Sequence, residues 1–198
     1  MHIDVSTLPA RDAYQLMIAC LIPRPIAWVS TVDQGKRTNL APFSFFGGVT
    51  SSPPTVMVSV GRRDGERKDT ARNLLATREA VVHIPHRPLA EKMVASAAGL
   101  PPEESEFDAT GLTTAPSVAV RAPRIADAAV AMEVVLRQHQ EIGNGPVDLF
   151  LLEVLHVHLA DDLLRDGLPD PALFQAVGRL GGASYCDTGA PFSVERPH

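Results

Sequence analysis

A chain of 198 residues has the length of one domain with short appendages, and 45% hydrophobic against 21% charged residues is the balance of a folded soluble domain, not of a disordered or collagen-like chain. Eighteen basic against 23 acidic residues leave a formal charge of −5 with no run of Lys or Arg, so the electrostatic footprint of nucleic-acid binding is missing. With two cysteines (Cys20 and Cys186), no apolar stretch near the roughly 20 residues of a spanning helix, and no signal-peptide pattern at the start, the expectation is a cytoplasmic protein without disulfides or membrane attachment.

Seventeen prolines and 14 glycines cut the chain into short apolar pieces, which favours strands over long helices. In chain order the pattern predicts a helix over Asp12–Leu21, then strands over Ile26–Val32 and Thr38–Phe46 joined by the turn Asp33-Gln34-Gly35-Lys36, then a strand over Thr55–Val60. A helix over Asp69–Thr77 follows, with Asp69 or Thr70 as N-cap and free backbone N–H groups beside Lys68, an end that attracts anions. Next come a strand over Ala80–Ile84, a helix over Leu89–Ala98, and a surface excursion from Gly99 to Thr114 carrying the acidic cluster Glu103-Glu104-Ser105-Glu106. Strands are expected at Ser117–Arg121, Ala129–Glu141 and Val147–His158, the last two an antiparallel pair turned by Ile142-Gly143-Asn144-Gly145-Pro146, and a short helix at Pro171–Ala176. The expected fold is mainly β, a closed or nearly closed barrel with short flanking helices, because closure removes the edges that many short strands would expose.

Several chemistries lose their usual supports. No Gly-x-Gly-x-x-Gly opens a helix after a strand, and neither a Walker loop nor a Gly-x-Ser-x-Gly elbow occurs. His156-x-His158 places two imidazoles on one strand face, with His139 on the neighbouring strand, but no Cys, Asp or Glu falls at a compelling offset to complete a metal site. Taken alone, Phe43, Phe45 and Phe46 read as core or interface aromatics; for Trp28 a core position and a place beside a ligand ring are equally open.

From Leu21 to Ile84 the chain carries Arg24-Pro25-Ile26-Ala27, Ser30-Thr31, Asn39-Leu40-Ala41-Pro42-Phe43-Ser44-Phe45-Phe46, Ser51-Ser52-Pro53-Pro54 and Lys68-Asp69-Thr70-Ala71-Arg72-Asn73, and near its end Gly178-Arg179-Leu180-Gly181-Gly182-Ala183-Ser184-Tyr185. In this order the segments resemble the flavin reductase-like family of FMN-binding split β-barrels. The resemblance implies one domain over 1–198 with a core of about 12–185, folded as a Greek-key barrel of six or seven strands that works as a homodimer. FMN would be bound near the subunit interface and reduced by NAD(P)H, with electrons or reduced flavin passing to a partner oxygenase. The alternative is a non-catalytic FMN-binding electron carrier or flavin store.

The family also implies flavin contacts along Asn39, Ala41, Pro42, Phe43, Ser44 and Phe45, with Ser30 and Thr31 beside the ring or ribityl chain; Trp28, its core alternative still open, is a further candidate beside the ring. FMN needs charge-assisted donors for its phosphate, and Ser51, Ser52, Arg62, Arg63, Lys68 and the helix start at Asp69, Thr70 and Asn73 are the candidates. No catalytic acid or base is expected, since hydride transfer between nicotinamide and flavin needs only alignment of two rings. Gly47-Gly48 departs from the family, which often has a polar residue such as Asn there; the change removes a side-chain contact and loosens the backbone.

Overall fold

The structure is a computed structural model that describes residues 1–101 and 104–195; of the acidic cluster, Glu103 lies outside the described residues. In chain order the elements are α1 (Ala10–Cys20), β1 (Arg24–Pro25), β2 (Ala27–Val32), β3 (Thr38–Phe43), β4 (Phe46–Ser51), β5 (Pro54–Val60), α2 (Asp69–Thr77), β6 (Glu79–Ile84), α3 (Ala90–Ala95) and α4 (Glu106–Thr110). Then follow β7 (Thr114–Ala115), β8 (Arg124–Ile125), β9 (Val130–Ile142), β10 (Val147–Leu159), β11 (Leu164–Arg165), β12 (Leu168–Pro169), α5 (Pro171–Phe174), β13 (Val177–Gly181) and β14 (Ser184–Asp187).

Seven strands form one antiparallel sheet in the order β3-β2-β6-β9-β10-β5-β4. Its two outermost strands, β3 and β4, are consecutive in the chain and joined only by Ser44-Phe45, so the sheet must roll round until its edges meet. The result is a barrel split along that seam; on the β4 side Ser59 N–H donates to the Phe45 carbonyl at 2.9 Å, extending the β4–β5 ladder to the crossing. This is the mainly β split barrel expected. The long hairpin β9–β10 is also as read, turned at Gly143 with φ +86°.

Two cores follow from the pleat. Inside the barrel, Val29, Val58, Val60, Val82, Val134, Leu136, Phe150 and Leu152 are buried together, and α2 plugs one end with Ala71 and Leu74. Outside it, Ile26, Trp28 and Leu40 of the β2–β3 face are covered by Met93 of α3, Phe107 of α4, Leu112, Ile125 and Val177. Every residue of β2 is therefore buried, on both faces.

Four local expectations are corrected. Thr38–Phe46 is not one strand: it ends at Phe43, and a new strand begins at Phe46 to pair with β5, because the chain crosses the seam there. Ser117–Arg121 is a loop, since the amides of Val118 and Ala119 are drawn to the Glu133 carboxylate at 2.7 and 2.6 Å instead of joining a ladder. The helix predicted over Leu89–Ala98 ends at Ala95, after a 3-10 turn at Arg87–Leu89. The excursion Gly99–Thr114 contains α4, whose N-cap Ser105 accepts from Phe107 N–H and whose Phe107 is buried.

Candidate functional site

The strand edge at β3, the start of α2 and the end of α3 enclose a trench. Two adjoining cavities of about 380 and 410 Å³ share Pro42, Phe43, Lys68 and Ala97, which makes them one elongated space. Asn39, Arg63 and Thr70 line one end; Tyr14, Arg24, Ser44 and Tyr185 line the other.

The first end gathers cations and open helix amides, with Asp64, Glu66, Asp69 and Glu106 also in its lining. The residue preceding α2 is Lys68, extended at φ −67° and ψ 160°, and no side chain caps the helix, so its first-turn amides are open. The expected caps are engaged elsewhere: Asp69 pairs with Arg72, and the Thr70 hydroxyl accepts from Asn39 Nδ2 at 2.9 Å. Accepting that bond leaves the hydroxyl its own proton, so it still has a donor to offer. Asn39 and Asn73 both donate to Thr31 Oγ1, at 3.3 and 3.0 Å, so a buried polar network ties β2, β3 and α2 together beneath the site.

Two cations face this end without a carboxylate partner among the described residues, Arg63 and Lys68. Lys68 Nζ sits 5.8 Å from the Phe43 ring centroid. Burial, and then the charge of Arg63, hold its ammonium below the ordinary lysine range. Room for Arg63 comes from Gly99, where a Cβ would lie 2.5 Å from Arg63 Nη1. Arg67 also reaches the trench, but its guanidinium is paired with Glu141 and Asp148.

Along the β3 edge, Leu40 N–H donates to Glu106 Oε2 at 3.0 Å, and the next outward position is Pro42, which has no N–H to leave unpaired. Desolvation, only partly offset by the Leu40 amide, raises the Glu106 carboxyl above its usual range. At the second end, Arg24 is buried and donates through Nη1 to the Ile18 and Leu21 carbonyls, at 2.6 and 2.7 Å, and through Nε to Ser44 Oγ at 3.3 Å. It fastens the last turn of α1 to the seam. Tyr14 of α1 meets Phe45 edge-on at 6.4 Å, and the Arg179 guanidinium lies 4.5 Å over the Tyr185 ring.

Of the residues singled out in the sequence, Asn39, Ala41, Pro42, Phe43, Ser44, Arg63, Lys68, Asp69 and Thr70 line the trench, and Asn73 stands behind Thr31 and lines an adjoining hollow. The others sit elsewhere in this chain. Trp28 is fully buried and donates to Ser96 Oγ at 2.9 Å; Ser30 is buried and donates to the Pro123 carbonyl at 2.6 Å. Ser51 and Ser52 occupy the exposed tip of the β4–β5 hairpin, roughly 16 Å along β4 from Phe46 at the usual rise per residue. Arg62 turns to Glu141 and Asp148. Sequence reasoning missed Tyr14, Arg24, Gly99 and Glu106, none of which carries a local signal for a site.

The three histidines do not gather. His139 bonds Asp148 at 2.7 Å and stacks on Phe150, His158 bonds Glu133 at 2.6 Å, and His156 is exposed. His139 lies opposite Phe150, eight residues up β10 from His158 and so roughly 26 Å away. Among the described residues no cluster of His, Cys, Asp and Glu could hold a metal, and no helix is long and apolar enough to cross a membrane.

A flavin reductase-like domain model matches residues 19–180. An uncharacterized protein of Halalkalibacterium halodurans is 38% identical over 202 residues, covering 100% of this chain and 97% of its own length. The crystal structure of nitrilotriacetate monooxygenase component B from Bacillus cereus superposes with a TM-score of 0.93 at 34% identity, covering 98% of each chain. That of the 2-nitrobenzoate 2-nitroreductase of Pseudomonas fluorescens superposes at 0.91 and 29% identity, covering 100% of this chain and 96% of the other.

Proposed function

Because the chain belongs to the family of flavin reductase-like domains, a family of flavin-using oxidoreductases, we propose that it binds FMN in the trench and reduces it with NAD(P)H, handing reduced flavin or electrons to a partner oxygenase. The observation that carries the reading is the pairing of two carboxylate-free cations, Arg63 and Lys68, with the uncapped start of α2 at one end of an elongated space. A phosphate there receives charge-assisted bonds from both side chains, from the open amides and from the Thr70 hydroxyl. Asn39 orients Thr70, Pro42 and the edge of Phe43 give an apolar floor, and Ser44, held by Arg24, lines the far end. FMN supplies the hydride-accepting chemistry when bound; the chain's part is to hold and align.

The site is completed in a homodimer. The helix α1 buries none of its residues and exposes Tyr14 and Met17, while Leu21 and Ile22 just beyond it are each 50% exposed. The edge strand β4 is open, with Val49 exposed, and such an edge calls for a cover. Ser51 and Ser52, absent from their own trench, are then available to a second copy's phosphate. The test is a visible spectrum during titration with FMN, followed by anaerobic addition of NADH or NADPH. Flavin bands that saturate and then bleach support the proposal; bound flavin that stays oxidised refutes the reductase reading and leaves an electron carrier.

A further inference from the structure

Asp148 stands on the inward face of β10, in line with the core residues Phe150 and Leu152, and is completely buried. A carboxylate in a barrel interior is costly unless it is paired. Its partners come from the strap that leaves β5 beside it, since Asp148 is in register with Val60, the last residue of that strand. The strap is a small hairpin. Arg63 and Glu66 exchange both backbone bonds at 2.9 and 2.8 Å, around a turn with Asp64 at φ +50° and Gly65 at φ +82°.

In such a hairpin side chains alternate, so Arg62 and Arg67 share one face while Arg63 and Lys68 share the other. The first pair turns to acids, though Arg62 Nη1 also donates to the Gly65 carbonyl at 3.5 Å and Arg62 Nε and Asp148 Oδ2 face each other without a hydrogen bond. Arg67 Nε is 3.0 Å from Asp148 Oδ1 and Arg62 Nε 3.8 Å from Oδ2, and both guanidiniums also bind Glu141. His139 Nε2 holds the same Asp148 oxygen at 2.7 Å. The second pair shares its face with Glu66 but has no carboxylate within ion-pair distance among the described residues, and it lines the trench. We infer that Asp148, with Glu141 as its outer partner, is a positioning residue for phosphate recognition: by seizing Arg62 and Arg67 it sets the face of the strap from which Arg63 and Lys68 meet the FMN phosphate. This rests on the FMN reading above and assigns the site's selectivity for a phosphorylated flavin to a residue that never touches the ligand.

The experiment compares FMN with riboflavin, which lacks the phosphate, by fluorescence titration of wild type, Asp148→Asn and Glu141→Gln. Loss of the clamp should weaken FMN by about tenfold in Asp148→Asn, and less in Glu141→Gln, while riboflavin stays within about twofold of wild type, because only the phosphate contacts depend on the strap. A general loosening of the fold would lower both ligands together, so the FMN-to-riboflavin ratio separates positioning from mere stability. Should Asp148→Asn fail to fold, Glu141→Gln decides, since its carboxylate is half exposed and its loss leaves no buried charge unpaired. Unchanged ratios in the folded variants overturn the inference while leaving the FMN reading intact. A wild type that binds neither flavin overturns the FMN reading itself.

Discussion

His83 is completely buried, and its ring bridges two backbones: Nδ1 is 2.8 Å from the Trp28 carbonyl and Nε2 accepts from Ile125 N–H at 2.9 Å. That pair of contacts requires the neutral ring protonated at Nδ1. Desolvation chiefly, with the charges of Arg124 and His158, lowers its pKa from 6.5 to about 4 against the opposing pull of the Trp28 carbonyl. Because the folded value is depressed, the stability it guards is complete above pH 6.5 and is lost as pH falls from 6.5 towards 4. Each pH unit in that window costs about 1.4 kcal/mol, and at pH 4 the fold has itself taken up half a proton, so the loss reaches about 3 kcal/mol. Urea unfolding from pH 8 to pH 4 measures it, with His83→Gln as the reference; glutamine can supply one donor and one acceptor but has no proton to gain. Carboxylate titrations are common to both proteins, so the gap between their stabilities should shrink by about 3 kcal/mol on acidification. Parallel curves would show that His83 is not the group held neutral.

Lys68→Ala removes one of the two carboxylate-free cations and should weaken FMN about tenfold with little change for riboflavin; equal losses for both flavins would contradict the phosphate assignment. Asn39→Ala strips Thr31 and Thr70 of a buried donor and should cost about 1–2 kcal/mol in urea unfolding, with FMN weakened as Thr70 loses its orientation. In the loop 117–122 the Glu133 carboxylate is the anchor. Desolvation opposes its charge, yet the Val118 and Ala119 amides and His158 prevail and hold it below the usual range. Glu133→Gln should therefore cost about 2–3 kcal/mol and speed proteolytic cleavage within that loop, seen by limited proteolysis with the fold otherwise retained.

Patterns confined to one segment were legible. The glycines and asparagine between β9 and β10 announced their hairpin, the apolar spacing of Ala71, Leu74 and Leu75 announced α2, and the run Asn39–Ser44 held much of the trench wall. Patterns that depend on a distant partner were not. Val118 and Val120 alternate as in a strand, but a buried glutamate on β9 draws the intervening amides away. Phe43 and Phe46 read as one strand, but the strands they belong to lie at opposite edges of the sheet.

Arg62 and Arg63 mark the division most clearly. As neighbours of identical chemistry they are equivalent in the sequence, and both qualified as phosphate ligands. The pleat of the eight-residue strap between β5 and α2 sends one to Glu141 and Asp148, some 80 positions further along the chain, and leaves the other facing the trench. Composition, turn residues and ordered motifs were enough to determine a β-barrel of this family, because hydrophobic periodicity and turn geometry are local properties of the chain. Which cation stays without a carboxylate partner, which histidine stays neutral and which serines lie away from their own chain's trench were decided only in the tertiary structure, because a side chain's charge partners and its desolvation are set by residues brought near it in folding.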